Sequence, residues 1–248
     1  MKRHASLPMY DWPEARGQAD ADWRAVRQAV RDVDPQIDLP DRVLRPAPGT
    51  VMSLWQDPGC VFSQTCWGPL SLGLTAHLTP LAQPDYSAFT GGRGPFYRSA
   101  LIARKGLTAP VPMSPAAAVA RGLFQGRVLA VNGLDSLSGF LSLQWDLGCD
   151  PRDLAADWVE TGSHRASVIA VAQGHADIAA IDCRSWALAQ THEACAGGLV
   201  VIGWTSERWG LPYVTHRSTP EPIKQALRKA LKRTGCFDAP TETTGRQE

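Results

Sequence analysis

No stretch of this sequence approaches the roughly 18 consecutive apolar residues that a membrane-spanning helix requires. Runs such as Leu199–Trp204 are only the length of a strand, so direct membrane insertion is not expected. Neither sign of charge is in excess, since 25 Lys and Arg face 24 Asp and Glu for a net charge of +1. The basic residues are scattered, which leaves no source for the field that steers polyanions and argues against nucleic acid as a partner. A small anion stays within reach, because a local pocket needs no global charge. The pattern G-x-x-x-x-G-K-[ST] is absent, so ATP hydrolysis by that route is excluded. The six cysteines (Cys60, Cys66, Cys149, Cys183, Cys195 and Cys236) form no C-x-x-C pair and no zinc-knuckle spacing. No metal and no cofactor is therefore expected. Reduced, buried or half-buried thiols are the simplest reading, with a Cys60–Cys66 bridge left open.

What is present is an ordinary globular composition: 248 residues, 44% hydrophobic and 20% charged. That length suits one large domain or two lobes of roughly 100 to 150 residues each. The N-terminus, Met1-Lys2-Arg3-His4-Ala5-Ser6-Leu7-Pro8, starts positive like a secretory signal but meets Pro8, Asp11 and Pro13 where an apolar segment should follow. Taken by itself it reads as a cytoplasmic start.

A strand ending in a small or polar turn that opens a helix occurs three times, and this repetition indicates a parallel α/β architecture. The first copy reads as a strand at 51–55, a turn at 56–59, and a helix over 67–78 capped by Ser63 or Thr65. The second has a strand at 127–131, a turn at 132–136 and a helix over 137–147 stopped by Gly148. The third opens at Thr161-Gly162-Ser163-His164, continues as a helix over 165–173, stops at Gly174 and is followed by a strand at 176–181. Extended segments at 97–104, 199–204 and 211–215 are candidates for crossovers between lobes. A Pro/Ala-rich loop spans 107–118. The last helix, 220–234, carries Ile223, Ala226, Leu227, Ala230 and Leu231 on one stripe. The polar tail after Phe237 is expected to fray.

Two of these turns could hold an anion, because a helix start presents free N–H groups and the positive end of the helix dipole. Asp135-Ser136-Leu137-Ser138-Gly139 offers two hydroxyls and a glycine that admits a ligand to the backbone. Gly162-Ser163-His164-Arg165 offers a hydroxyl, an imidazole and a guanidinium. Each alone is also an ordinary N-cap. His164 can sit on a solvated face, Asp182 can cap the helix that begins near Ser185, Tyr10 and Trp12 can be packing residues, and Arg98 can serve a structural salt bridge.

Taken in order, Ser136-Leu137-Ser138-Gly139, Gly162-Ser163-His164-Arg165-Ala166-Ser167 and Ala176-Asp177-Ile178-Ala179-Ala180-Ile181-Asp182 resemble the phosphate/phosphonate-binding subgroup of the periplasmic-binding-protein superfamily. Leu7-Pro8-Met9-Tyr10, Ser63-Gln64-Thr65-Cys66 with Pro69-Leu70, and Gly94-Pro95-Phe96-Tyr97-Arg98-Ser99 are similar to one branch of it. The resemblance covers roughly residues 5 to 235. It implies a type II periplasmic-binding-protein fold: two α/β lobes with mixed, mostly parallel sheets, two crossover strands and an interlobe cleft that closes like a hinge. On that basis lobe 1 comprises 1–100 plus 206–248, and lobe 2 comprises 101–205. Carried over, Ser136, Ser138 and Gly139 form one anion loop and Ser163 with His164 a second. Tyr10, Gln64 and Thr65 come from the other lobe, Asp182 stands at a strand end, and Trp67 and Arg165 are further candidates. The ligand implied is a small phosphonate- or phosphate-like oxyanion, captured for an ABC transporter whose permease and ATPase are other chains. The location implied is periplasmic, against the cytoplasmic reading of the N-terminus. The branch usually carries a cysteine before Gly-Pro-Phe-Tyr-Arg, where this chain has Thr90-Gly91-Gly92-Arg93, so a pairing with Cys66 is removed.

Two rivals belong to other classes. Ser136, His164 and Asp182 occur in an order that could assemble a hydrolytic triad, but the serine is not in a G-x-S-x-G elbow. The same fold also serves cytoplasmic enzymes of menaquinone or pyrimidine biosynthesis and could serve a sensor; no motif specific to those enzymes is present.

Overall fold

A computed structural model describes residues 2–47, 49–113 and 119–240. The chain forms two compact units, one taking the chain up to Asp85 and again from Gly210, the other Tyr86–Trp209. In chain order unit 1 begins with β1 (His4–Ala5), α1 (Arg16–Val33), α2 (Val51–Gln56), β2 (Cys60–Gln64), α3 (Trp67–Ser71) and β3 (Leu78–Gln83). Unit 2 follows with β4 (Gly92–Arg93), β5 (Phe96–Tyr97), β6 (Ser99–Arg104), β7 (Val128–Val131), α4 (Ser142–Leu147), β8 (Asp157–Glu160), α5 (His164–Gln173), β9 (Ile178–Asp182), α6 (Cys183–His192), β10 (Leu199–Trp204) and β11 (Arg208–Trp209). The chain returns to unit 1 for β12 (Tyr213–His216), α7 (Glu221–Arg233) and β13 (Phe237–Asp238).

Unit 1 is built on a five-stranded sheet ordered β1-β2-β12-β3-β13. Only β1 and β2 are parallel; the other pairs are antiparallel. Helices α1 and α7 pack together over this sheet because both carry an apolar stripe. Ala19, Trp23, Val26 and Val30 of α1 meet Ile223, Ala226, Leu227, Ala230 and Leu231 of α7 in one core with Phe62 and Leu81. The α7 stripe is the one its spacing predicts. At the start of the tail Phe237 and Asp238 pair with Gln83 and Ala82 of β3, and residues 241–248, where fraying is expected, lie outside the described residues.

The first strand-turn-helix copy is shifted along the chain. Residues 51–56 are helical, with Val51, Leu54 and Trp55 at i, i+3 and i+4 and the last two buried, because so short a segment with four apolar residues fits either period and here the helix buries Leu54 and Trp55. The strand is the next segment, Cys60–Gln64, buried at every position. Neither Ser63 nor Thr65 caps α3: the cap is Cys66, with no side-chain bond. The helix is short because Gly73, at φ 119°, turns the chain, and Leu78 already opens β3.

Unit 2 follows the expected pattern. Its main sheet is ordered β10-β6-β9-β7-β8, with β8, β7 and β9 mutually parallel and β6 and β10 antiparallel. Leu101, Leu129, Val131, Phe140, Leu143 and Ile178 fill its core. Gly148 and Gly174 end α4 and α5 in left-handed conformations, φ 65° and 82°, as glycine at a helix stop allows. A three-stranded ribbon, β11-β5-β4, completes the unit. Of the Pro/Ala-rich loop at 107–118, residues 114–118 lie outside the described residues. All six cysteines are free thiols, so the Cys60–Cys66 bridge is not formed. Burial pushes the Cys60 thiol up to about 12.

Candidate functional site

The three parallel strands of unit 2 run into a helix at the same end of the sheet. Strand β7 leads through residues 132–136 into a π-helical turn, Leu137–Leu141, continued by α4. Strand β8 leads into α5, and β9 directly into α6. The chain leaves β7 for β8 on one side while β9 lies on the other, so the gap between β7 and β9 is the switch point at which open α/β sheets accept ligands.

The side chains at that end are linked to one another. Ser138 Oγ lies 2.7 Å from His164 Nε2, and the same nitrogen is 3.4 Å from Asp182 Oδ2. Ser136 caps its helix by accepting from the Gly139 N–H at 3.1 Å, and its Oγ is 3.4 Å from Ser138 Oγ. Ser163 caps α5 by accepting from the Ala166 N–H at 3.1 Å. Asp182 holds two places at once. Its Oδ1 accepts from the N–H groups of Arg184 and Ser185 at 3.1 and 3.0 Å, capping α6, while Oδ2 faces His164. The cap and the inward-facing role, alternatives from sequence, coexist because a carboxylate has two oxygens.

His164 is not on a solvated face; its side chain is only 13% exposed and that of Asp182 only 2%. Burial pushes the imidazole below the ordinary histidine value, with the Asp182 carboxylate and the Ala180 carbonyl pulling the other way. The result is a neutral ring held between a hydroxyl and a carboxylate. Both approach Nε2, whereas a hydrolytic triad needs the serine on one ring nitrogen and the carboxylate on the other. Nδ1 is buried with no hydrogen bond of ordinary geometry. Ser136, the serine considered for that role, is bonded to its own helix start instead. The arrangement therefore gathers hydroxyls, a carboxylate and a buried imidazole at the strand ends without the geometry of a hydrolytic triad.

One residue of the site carried no signal in the motif reading. Asn132 stands at the carboxyl end of β7, and its Oδ1 is buried without a hydrogen-bond partner. A methyl group on Gly139 would lie 1.7 Å from that oxygen and 3.4 Å from His164 Cε1. Glycine at 139 is thus required by Asn132 as much as by any ligand. A polar residue closing a strand just before a hydroxyl-rich turn is the sequence signal that could have singled it out. Arg165, a further candidate, is bonded to Glu193, which neutralises its charge.

The candidates in unit 1 form a separate group. Gln64 ends β2 and donates its amide to the Leu211 carbonyl at 3.0 Å. Thr65 is fully buried and its hydroxyl has no partner. Trp67 is buried, and with the Gln83 amide turned so that its oxygen faces the indole, the ring N–H donates to it at 3.0 Å. Tyr10 is buried in the segment between β1 and the turn at Pro13–Ala15. Among the described residues no group of His, Cys, Asp and Glu could hold a metal ion, and no helix is long and apolar enough to cross a membrane.

Comparisons with known proteins bear on the fold and the family. No curated protein matches the sequence. Solved structures do: PhnD1 from Prochlorococcus marinus in complex with methylphosphonate is 15% identical, with a TM-score of 0.66 over 93% of this chain and 84% of that one. A binding-protein component of an ABC phosphonate transporter from Pseudomonas aeruginosa is 14% identical, with a TM-score of 0.62 over 96% and 81%. A Xanthomonas citri protein bound to chloride is 16% identical, with a TM-score of 0.62 over 97% and 92%. At these identities the likeness establishes the two-unit periplasmic-binding-protein fold. The family model for the phosphonate periplasmic substrate-binding protein of ABC transporters matches residues 71–239, more than half of the chain and all the strand ends of unit 2. The chain therefore belongs to the phosphonate-binding family of ABC-transporter periplasmic substrate-binding proteins.

Proposed function

We propose that this protein captures a small phosphorus oxyanion, a phosphonate or phosphate, in the periplasm and delivers it to an ABC permease and ATPase carried on other chains. The observation that supports this most is the linked set Ser138, His164 and Asp182 at the converging strand ends of unit 2, beside the helix start at Ser136–Gly139. Ser136, Ser138, Gly139, Ser163 and His164 supply donors to the ligand oxygens, and Asp182 holds His164. Tyr10, Gln64 and Thr65 are the unit 1 contribution, with Trp67 acting through Gln83. Membership of a solute-binding family supports capture without turnover, and both close contacts of His164 falling on one nitrogen agree with it.

The donors are neutral hydroxyls, N–H groups and an uncharged imidazole, so the ligand charge is balanced by dipoles and not by a paired Lys or Arg. Titration calorimetry with methylphosphonate, phosphite and phosphate is the direct test, and saturable heat with at least one of them is expected. His164→Ala should weaken that binding by about 1–3 kcal/mol, the worth of a hydrogen bond to a charged oxygen. No heat with any of the three would overturn the proposal.

A further inference from the structure

The corner that joins β12 to α7 is held by a histidine used as an acceptor. His216, the last residue of β12, is only 9% exposed. The Ser218 N–H donates to His216 Nδ1 at 3.1 Å, and the Ser218 hydroxyl lies 2.7 Å from the same nitrogen. A backbone N–H can only donate, so Nδ1 carries no proton and the neutral ring keeps its hydrogen on Nε2. The pattern is that of an Asx-turn, in which an Asn or Asp side chain accepts from the N–H two residues on, with an imidazole in place of the amide. Further bonds brace the corner. The Thr219 N–H donates to the His216 carbonyl at 3.0 Å, the Arg217 N–H to the His77 carbonyl at 2.7 Å, and the Lys224 ammonium to the Arg217 carbonyl at 2.7 Å. From this corner α7 carries Ile223, Ala226 and Leu227 into the unit 1 core.

We propose that His216 is an acid-released latch of unit 1: its neutral ring closes the corner between β12 and α7, and a proton on Nδ1 opens it. That proton turns the acceptor into a donor. The Ser218 hydroxyl can rotate and accept from it, but the Ser218 N–H cannot, and it is left facing a donor on a positive ring. The surrounding groups oppose the proton as well. The His77 ring, just before β3, has its centroid 6.3 Å away, and Lys224 of α7 faces the same ring, itself 3.9 Å from Glu221. The Arg217 guanidinium donates to the Thr75 carbonyl at 3.3 Å, and the Cys60 thiol of β2 is kept neutral by burial. Burial, with His77 and Lys224, holds the His216 pKa below the ordinary histidine value, and Asp57 pulls the other way. Since the folded-state value lies below the unfolded one, the stability supplied by the neutral ring is present above about pH 6.5 and lost as pH falls below it. The latch uses none of the strand-end candidates and does not depend on the oxyanion reading.

The test is amide hydrogen exchange of the full chain, read by NMR as protection relative to the intrinsic rate at each pH, with and without His216→Asn. The asparagine amide oxygen takes the place of Nδ1 and does not titrate, so it keeps the turn and removes the latch. Between about pH 7.5 and about pH 5, protection of the Ser218, Thr219 and Lys224 amides is expected to fall at least about fivefold further in the unsubstituted protein than in His216→Asn. An equal fall in both proteins, or no fall in the unsubstituted one, would overturn the proposal. Should His216→Asn fail to fold, the ring nitrogen shifts of His216 in the unsubstituted protein carry the test. Near pH 7.5 they should show Nδ1 bare and Nε2 protonated, with the Ser218 amide signal moving as Nδ1 gains its proton. A proton on Nδ1 near pH 7.5, or a Ser218 signal indifferent to the titration, would overturn it equally.

Discussion

Gly139→Ala tests the construction of the helix start at Ser136–Gly139 without reference to any ligand. The new methyl would sit 1.7 Å from Asn132 Oδ1 and 2.9 Å from Asn132 Cγ. Ordinary contact is roughly 3.5 Å, so the amide oxygen must retreat by roughly 2 Å. It has no hydrogen bond to lose, but it is buried and has packed atoms around it, and overpacking of this kind costs about 1–3 kcal/mol. Against this, Gly139 is not among the positive-φ glycines, so alanine recovers about 0.5–1 kcal/mol from helix propensity and the unfolded chain. The net expectation is a loss of about 0.5–2 kcal/mol, read as a lower urea midpoint at unchanged slope. The decisive measurement is the same substitution in an Asn132→Ala background, where both offending atoms are gone. There Gly139→Ala should be neutral or stabilising, giving a coupling of at least about 1 kcal/mol between the two positions. A coupling within about 0.3 kcal/mol of zero would refute the claim that Asn132 is what demands glycine at 139.

Two other perturbations follow from the same geometry. Because the folded-state pKa of His164 lies below its unfolded value, the unfolded chain binds more protons as pH falls, so the neutral ring's stability is present above the ordinary histidine value of about 6.5 and lost below it. The difference in unfolding free energy between the unsubstituted protein and His164→Gln should therefore rise with pH between about 5 and 6.5, by no more than about 1.4 kcal/mol per pH unit. His216, also held low by burial, is present in both proteins and cancels; a flat or falling difference would refute the account. Asp146 of α4 accepts from Arg208 Nη2 and from the Ser206 N–H, both at 2.6 Å, with the two charged side chains 5% and 11% exposed. Asp146→Ala should cost about 3–5 kcal/mol by stranding the guanidinium, and Asp146→Leu with Arg208→Met should restore most of it in urea denaturation.

Local periodicity carried much of the architecture. Helix α7, the β7-to-α4 and α5 units and strand β9 all appear where spacing and terminal glycines place them, since each is decided by neighbours in sequence. The capped helix starts at Ser136 and Ser163 were legible for the same reason. The segment 51–56 was not, because its four apolar residues in six satisfy both periods and only packing against the rest of unit 1 chooses between them.

By itself, then, the sequence determined element types wherever a period or a cap was unambiguous, the α/β class, and the presence of two hydroxyl-rich helix starts in one order. Only the tertiary structure decided which strands lie side by side. That order brings Ser138, His164 and Asp182 together across the gap between β7 and β9, puts both contacts of His164 on one nitrogen, and leaves the hydroxyls of Ser136 and Ser138 bonded while those of Ser6 and Thr65 stay unpaired. Strand order and side-chain orientation arise from contacts far apart in the chain, and no local pattern of residues encodes them.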